Sequence, residues 1–414
     1  MKIAYLIHWN EGESSGVFKK VVHQVEEWHR CGHEVGLFVF THTDGSDWSH
    51  AIGDVQVKVQ TYTSGVARLL QFRRLADQIR AWTPDVVYHR FDLYYFGLPT
   101  LLKQFPSVLE INTNDLTEMK MERRLGYLYH RWTRGYVLKA AKGVVFVSRE
   151  LAHEKQFSRY VKDRKVIGNG ISLRQFLRVH SSPLPSSTDL NPIEQATEQP
   201  IYAEENTTTT PIPTGPFNII SEESESTTTT LHSNANTPTI RFVFIGTPGQ
   251  SWHGIDSIGA LAQAKPEWYF DIIGTDAREM KGPPPSNMHF HGLLSRSEYQ
   301  PLLSRADIAI GTLALYRKQM KEASPLKVRE YLANGLPVIT AYEDTDFPRP
   351  VPFILTLPNG PGNTRLGLER IEAFVKQWKG YKVDRSLIHH LDTRVKEEER
   401  LQYMAYIREL EVRR

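Results

Sequence analysis

Residues 321–340 read KEASPLKVREYLANGLPVIT, and they combine a loop, a short helix and a buried strand in twenty residues. Ser324 suits a helix N-cap. Pro325 suits the first helical position, where its missing N–H would have had no partner. Leu326, Tyr331 and Leu332 can share one face. Gly335 stands where a left-handed C-cap is wanted, and Pro337 forbids continuation before the apolar Val338-Ile339. The spacing therefore predicts a helix that ends near Asn334 and feeds a buried strand, which is the grammar of an α/β fold.

The start of that helix is the positive end of its dipole, with free N–H groups and Lys327 in the first turn, so it is an anion site. Glu322 in the preceding loop and Glu330 on the helix flank the position an anion would take. Carboxylates so placed can accept hydrogen bonds from sugar hydroxyls. On helix grammar alone, a capped surface helix with solubilising charges fits equally well.

Two glutamates with seven residues between them, a helix and a Gly-x-Pro-Val strand resemble the donor-site signature of retaining glycosyltransferase family 4, which has the GT-B fold. The wording SPLKVREYLANGLPV is similar to a subgroup acting on bacterial polysaccharide and cell-surface glycan precursors. The resemblance implies two Rossmann-like α/β domains with parallel sheets facing across a cleft. It implies that Glu322 contacts the transferred sugar and Glu330 the nucleotide ribose. It further places Gly16, Gly246, His253, Ser324, Leu326 and Lys327 at the donor, and His89 with Glu322 among the catalytic candidates.

Outward from this stretch, 414 residues suffice for two domains, and 40% apolar with 23% charged residues is the composition of a soluble globular protein. A formal charge of +3 indicates no general nucleic-acid-binding surface. The single cysteine, Cys31, rules out an internal disulfide and fits a reducing compartment. No run approaches ~20 apolar residues, so a cytoplasmic protein is expected.

Towards the N-terminus, Lys2–His8 reads as a strand, Val17, Val21, Val25 and Trp28 as the apolar stripe of a helix, and Glu34–Thr41 as a second strand. This is a βαβ unit, and it predicts a parallel sheet. Ser15-Gly16 resembles the end of the family's diphosphate loop. Helix is expected over 69–82, a strand over 84–89 leading to His89 and Arg90, a short strand over 109–113, and another over 143–148. Polar residues Glu110, Asn112, Asn114 and Asp115 at a strand exit are candidates for acceptor recognition or proton transfer. From Leu116 to Lys142, Lys120, Arg123, Arg124, Arg131, Arg134, Lys139 and Lys142 alternate with Leu125, Tyr127, Leu128, Tyr129, Trp132, Tyr136 and Val137. Basic residues interleaved with aromatics suit peripheral contact with an anionic membrane, on the inner face of the plasma membrane. Val166–Ile171 resembles the family's VIPNGVD, with Gly168 where proline is usual.

The domains are read as 1–177 on the acceptor side, 178–239 as a low-complexity disordered insertion, 240–390 as the donor domain, and 391–414 as a helix crossing back to the first domain. Ser, Thr, Pro, Asn and Glu dominate the insertion, too little apolar surface to offset ordering. Strands are expected at 241–245, 270–273, 288–292 and 306–311. After Gly246, Thr247 and His253 stand where relatives carry arginine and lysine for the diphosphate. Lys327, joined by Arg317 or Lys318, is expected to supply that charge. No Asp-x-Asp stands at a plausible metal-binding strand exit, so neither metal nor other cofactor is expected. The expected activity moves a sugar from a nucleoside-diphosphate sugar to a glycan, lipid-linked or small-molecule acceptor. Its rivals are a GT-B-like nucleotide-sugar epimerase and a catalytically silent nucleotide-sugar-binding scaffold.

Overall fold

In the computed structural model, residues 1–13, 15–121, 126–161, 163–176 and 240–413 are described. The insertion read at 178–239 lies outside the described residues. The first sheet holds β1 (Lys2–His8), β2 (Glu34–Thr41), β3 (Gln56–Thr61), β4 (Val86–Arg90), β5 (Ser107–Ile111), β6 (Gly143–Phe146) and β7 (Arg164–Val166), all parallel, in the order β3-β2-β1-β4-β5-β6-β7. The second chain half forms β8 (Arg241–Ile245), β9 (Tyr269–Ile273), β10 (Met288–Phe290), β11 (Ile308–Ile310), β12 (Glu322–Ala323), β13 (Val338–Thr340), β14 (Glu343–Asp344) and β15 (Ile354–Thr356). Six of these make a second parallel sheet, β10-β9-β8-β11-β13-β15, and β12 pairs with β14 alone. The fold is α/β: two Rossmann-like domains of GT-B type, with the strand order reversing at β1 and at β8, where such sheets bind ligands.

β3 is not foreseen in the sequence reading. QVKVQT alternates apolar and polar residues as a half-buried edge strand does, and it lies at the sheet's margin. The predicted helix at 69–82 begins four residues earlier, at Gly65, because the Ser64 hydroxyl caps Ala67 N–H. The single stretch expected over 116–142 contains two helices, Asp115–Met121 and Tyr127–Ala140. Arg123, Arg124 and Leu125 lie outside the described residues.

Alternation along β1 sends Ala4 and Leu6 to one core, and Ile3, Tyr5 and Ile7 to another under the first helix, Gly16–Arg30. The second core is closed by Leu401, Tyr403, Met404 and Ile407 of the terminal helix, Thr393–Val412. Trp28 Nε1 and Gln24 Nε2 both donate to Glu397 on that helix, and Tyr403 Oη accepts from the β6 Val144 N–H. The chain's end is thus packed into its beginning.

Candidate active site

The helix expected to hold the donor runs Leu326–Ala333, with Asn334 as C-cap and Gly335 at φ 74°, the left-handed residue its stop requires. Its start differs from expectation. Pro325 is the N-cap residue, and the Ser324 side chain makes no cap bond. Instead, the Ser324 hydroxyl accepts from Asn169 N–H and Arg329 Nη2 and donates to Asp346. Ser324 is buried and its hydroxyl is committed to protein partners, so the helix start offers a ligand backbone N–H groups without it.

Those bonds belong to a buried latch. Arg329 forms a bidentate pair with Asp344 (2.6 and 2.7 Å), reaches Asp346, and donates Nε–H to Asn169 O in the interdomain connection. Lys396 of the terminal helix closes on the other Asp346 oxygen at 2.6 Å. Asp344-Thr345-Asp346 is an Asp-x-Asp, and both its carboxylates are neutralised here by Arg329 and Lys396. The latch also explains Gly168. A Cβ at this position would fall on the Asp346 carboxylate, so proline has no room.

Lys327 is the focus of the site. Its ammonium is buried without a hydrogen-bond partner among the described residues and sits 4.3 Å from the centre of the Phe244 ring. Burial pulls its pKa down to about 7. His253 approaches from the loop after β8, buried, with Nδ1 unpartnered. Burial, then Lys327 and Lys318, hold it well below the usual imidazole range, so it is neutral. Gly246 keeps the space between them open: a Cβ there would meet Phe244 and His253 Nδ1 within 2.8 Å. Across the cleft, the corresponding point on Gly16 faces Leu326 Cδ1 at 3.5 Å. Gly16, Gly246, His253, Leu326 and Lys327 are therefore neighbours.

The two other cations expected to help are already engaged. Arg317 is forked onto Asp256 (2.6 and 3.1 Å), and Lys318 spans the cleft to Thr113 (2.9 Å) and Glu118 (3.2 Å). Glu330 accepts a 2.8 Å bond from Tyr299 Oη, with Arg296 3.9 Å away. Burial raises its pKa, and the Tyr299 bond partly offsets this. Glu322 is less free than expected. One oxygen accepts from Glu150 N–H at 2.8 Å and the other lies 2.9 Å from Arg149 Nη2, both in the first domain.

His89 is buried in the first domain, with Nδ1 3.0 Å from Leu6 O and an unpartnered Nε2 3.7 Å from Asp92. Burial lowers its pKa. Asp92 was missed in the sequence. Burial acts to raise its carboxyl, but His8 and His89, with a Tyr95 hydrogen bond, hold it below its ordinary value. Arg149, Tyr299 and the Arg329 latch were missed too, because each acts through residues distant in sequence.

Two parallel sheets meeting beside the N-terminus of the helix Leu326–Ala333 define a GT-B architecture. Comparison with solved structures agrees in fold. A glycosyltransferase from Rickettsia africae ESF-5 superposes with a TM-score of 0.58 at 13% identity, covering 98% of each chain. The lipopolysaccharide outer core galactosyltransferase WaaB follows at 0.57 and 11%, covering 98% of this chain and 99% of the other. Anabaena HepE, in complex with UDP and glucose, gives 0.52 at 14%, covering 99% of this chain and 98% of the other. No curated protein matches at the sequence level. Residues 14–175 match the family model described as Glycosyltransferase Family 4. The family match thus covers the first domain, and the likeness of the whole chain to these structures is one of GT-B fold.

Proposed function

We propose that the protein transfers a sugar, with retention of anomeric configuration, from a nucleoside-diphosphate sugar to a glycan, lipid-linked or small-molecule acceptor in cell-surface polysaccharide or glycoconjugate synthesis. The observation that carries this is the unpaired ammonium of Lys327 beside neutral His253 at the start of the donor helix. A buried cation without a counter-ion is costly unless a ligand brings the counter-charge. A diphosphate does so, and it gains negative charge as the sugar departs, where a fixed cation and helix dipole are most effective. The complex of HepE with UDP supports a nucleotide here.

In this reading Glu330 holds the ribose and shares it with Tyr299. Glu322 reaches the sugar hydroxyls through its Arg149-facing oxygen, which has no hydrogen bond of its own. His89 is a positioning residue, acting on the acceptor side through Asp92. Gly16 lets the first helix approach the diphosphate closely.

The peripheral membrane contact is also a proposal. Leu128, Trp132 and Tyr136 form an exposed stripe at i, i+4, i+8, with Trp132 79% accessible, flanked by exposed Arg131 and Lys139. Arg134 and Lys142 do not join that face: Arg134 is buried against Asp115, and Lys142 is paired with Glu411. No described helix is long and apolar enough to cross a membrane. Trp132→Ser should remove binding to anionic vesicles at low salt, and unchanged binding would end this part of the reading.

The reaction is tested by a thermal-shift screen of UDP- and GDP-sugars, then proton NMR of products formed with and without acceptor sugars. An α-linked product from an α-linked donor is expected. An inverted product, or an epimerised sugar released without acceptor, would overturn the proposal.

A further inference from the structure

The first domain carries a second set of uncompensated polar atoms, on the other side of the cleft from Lys327. Trp9 Nε1, Arg90 Nη1 and Asn112 Nδ2 are each buried with no accepting partner among the described residues. They come from the exits of β1, β4 and β5, three strands adjacent in the sheet. This is its carboxyl edge, where α/β sheets take ligands. All three atoms are hydrogen-bond donors. Asn112 cannot turn its carbonyl into the gap, because Lys20 donates to Oδ1 at 3.0 Å and fixes the amide. The Arg90 guanidinium lies over the Trp9 ring at 5.8 Å.

Charge points the same way. Three cations, Lys20, Arg90 and Arg400, surround two carboxylates, Glu110 and Glu397, leaving one positive charge in excess. Lys20 and Arg400 are the buried members, and Lys20 takes Glu110 at hydrogen-bond distance. Arg90, at 3.9 Å from Glu110, is beyond hydrogen-bond reach and the most accessible of the three. The excess falls at the cleft-side rim.

We propose that Trp9, Arg90 and Asn112 form an anion subsite that receives a phosphate or carboxylate group carried by the acceptor. The assignment of the bound group to an acceptor rests on the glycosyl-transfer reading above. The first helix relates the two halves: Gly16 at its start faces Leu326, and Lys20, which orients Asn112, follows four residues later, about 6 Å along the axis. Three donors and one net positive charge suit an anion, while Glu110 Oε2, itself without a hydrogen-bond partner among the described residues, lies 3.9 Å from Arg90 Nη1.

The test uses the full chain with 15N-labelled tryptophan, the Trp9 indole resonance being assigned by its loss in Trp9→Phe. Inorganic phosphate and acetate are titrated separately into Lys327→Met protein, so that the diphosphate site does not take the probe. A saturable shift of the Trp9 resonance is expected with at least one of them, and the stronger identifies which anion is preferred. Arg90→Met should weaken that titration at least tenfold. If this variant does not fold, Arg90→Lys, which keeps a charge near Glu110 but removes the fork, should weaken it severalfold. A Trp9 resonance that ignores both anions, or an Arg90 variant that titrates like its parent, would overturn the subsite. Nucleotide binding plays no part in this readout, so failure of the donor reading would show separately, as unchanged UDP affinity in Lys327→Met. With an acceptor in hand, Arg90→Lys should raise the acceptor KM and leave the donor KM unmoved.

Discussion

The two domains each bury a lysine next to the cleft and treat it in opposite ways. Lys20 lies against Glu110 in a network extended by Arg90, Arg400 and Glu397. Burial lowers Lys20 and acts to raise Glu110, but the surrounding cations hold Glu110 below the usual carboxylate range. Lys327 has only an aromatic face and a neutral histidine beside it. The first arrangement binds the terminal helix to the sheet. The second leaves a charge for something else to neutralise. A buried cation with its partner is architecture, and one without is, in the proposed reading, a place for an anionic ligand.

That contrast is broken most sharply by removing each lysine. Lys20→Met removes the one cation hydrogen-bonded to Glu110, leaving Arg90 and Arg400 at 3.9 and 3.7 Å, and should cost about 3 kcal/mol in denaturant unfolding, whereas Lys327→Met should stabilise the free protein at neutral pH. A destabilised Lys327→Met protein would show that its ammonium is structurally engaged after all. The next effect is on the ligand. Lys327→Met should weaken UDP binding about 10- to 100-fold by calorimetry, the range of a charged hydrogen bond, while Arg317→Met, whose charge belongs to Asp256, should change it severalfold at most.

Protonation sharpens the same point. The pKa of Lys327 is about 7 in the free protein against an ordinary 10.5, so its charged form is disfavoured by folding. Stability of the free protein should rise as pH climbs from about 7 towards 10.5. A bound diphosphate raises that pKa, so UDP affinity should fall as pH rises above about 7, with proton uptake on binding. His253, the titratable group beside Lys327, is neutral throughout. Subtracting the Lys327→Met profile isolates the effect, and parallel profiles would exclude it.

Smaller effects are expected at the edges of the site. Glu330→Gln should raise the donor KM about tenfold, as loss of one charged hydrogen bond does. Gly168→Ala should destabilise the protein by about 1–3 kcal/mol through displacement of Asp346, without changing UDP affinity measured on the folded fraction.

What could be read from the sequence follows from range. The donor helix, its glycine stop and the strand beyond are local, so spacing and caps sufficed for residues 326–340. The βαβ grammar gave the parallel sheets for the same reason. Ser324 misled because cap preference is a local rule, overruled by a guanidinium five residues on and two aspartates beyond it. Glu322 was legible as a site residue, but its grip on Arg149 and Glu150 was not, since 172 residues separate it from Glu150. Lys327 was found from its place in the helix, while the absence of any partner, which makes it informative, exists only in three dimensions. Edge strand β3 was legible in QVKVQT and was overlooked.

The terminal helix has a consequence for how the molecule is made. Met404 and Ile407 complete a core whose other walls are Ile3, Tyr5, Val21 and Trp28. During vectorial synthesis the first half therefore cannot close this core until residues 401–407, which follow the whole second sheet, have been made.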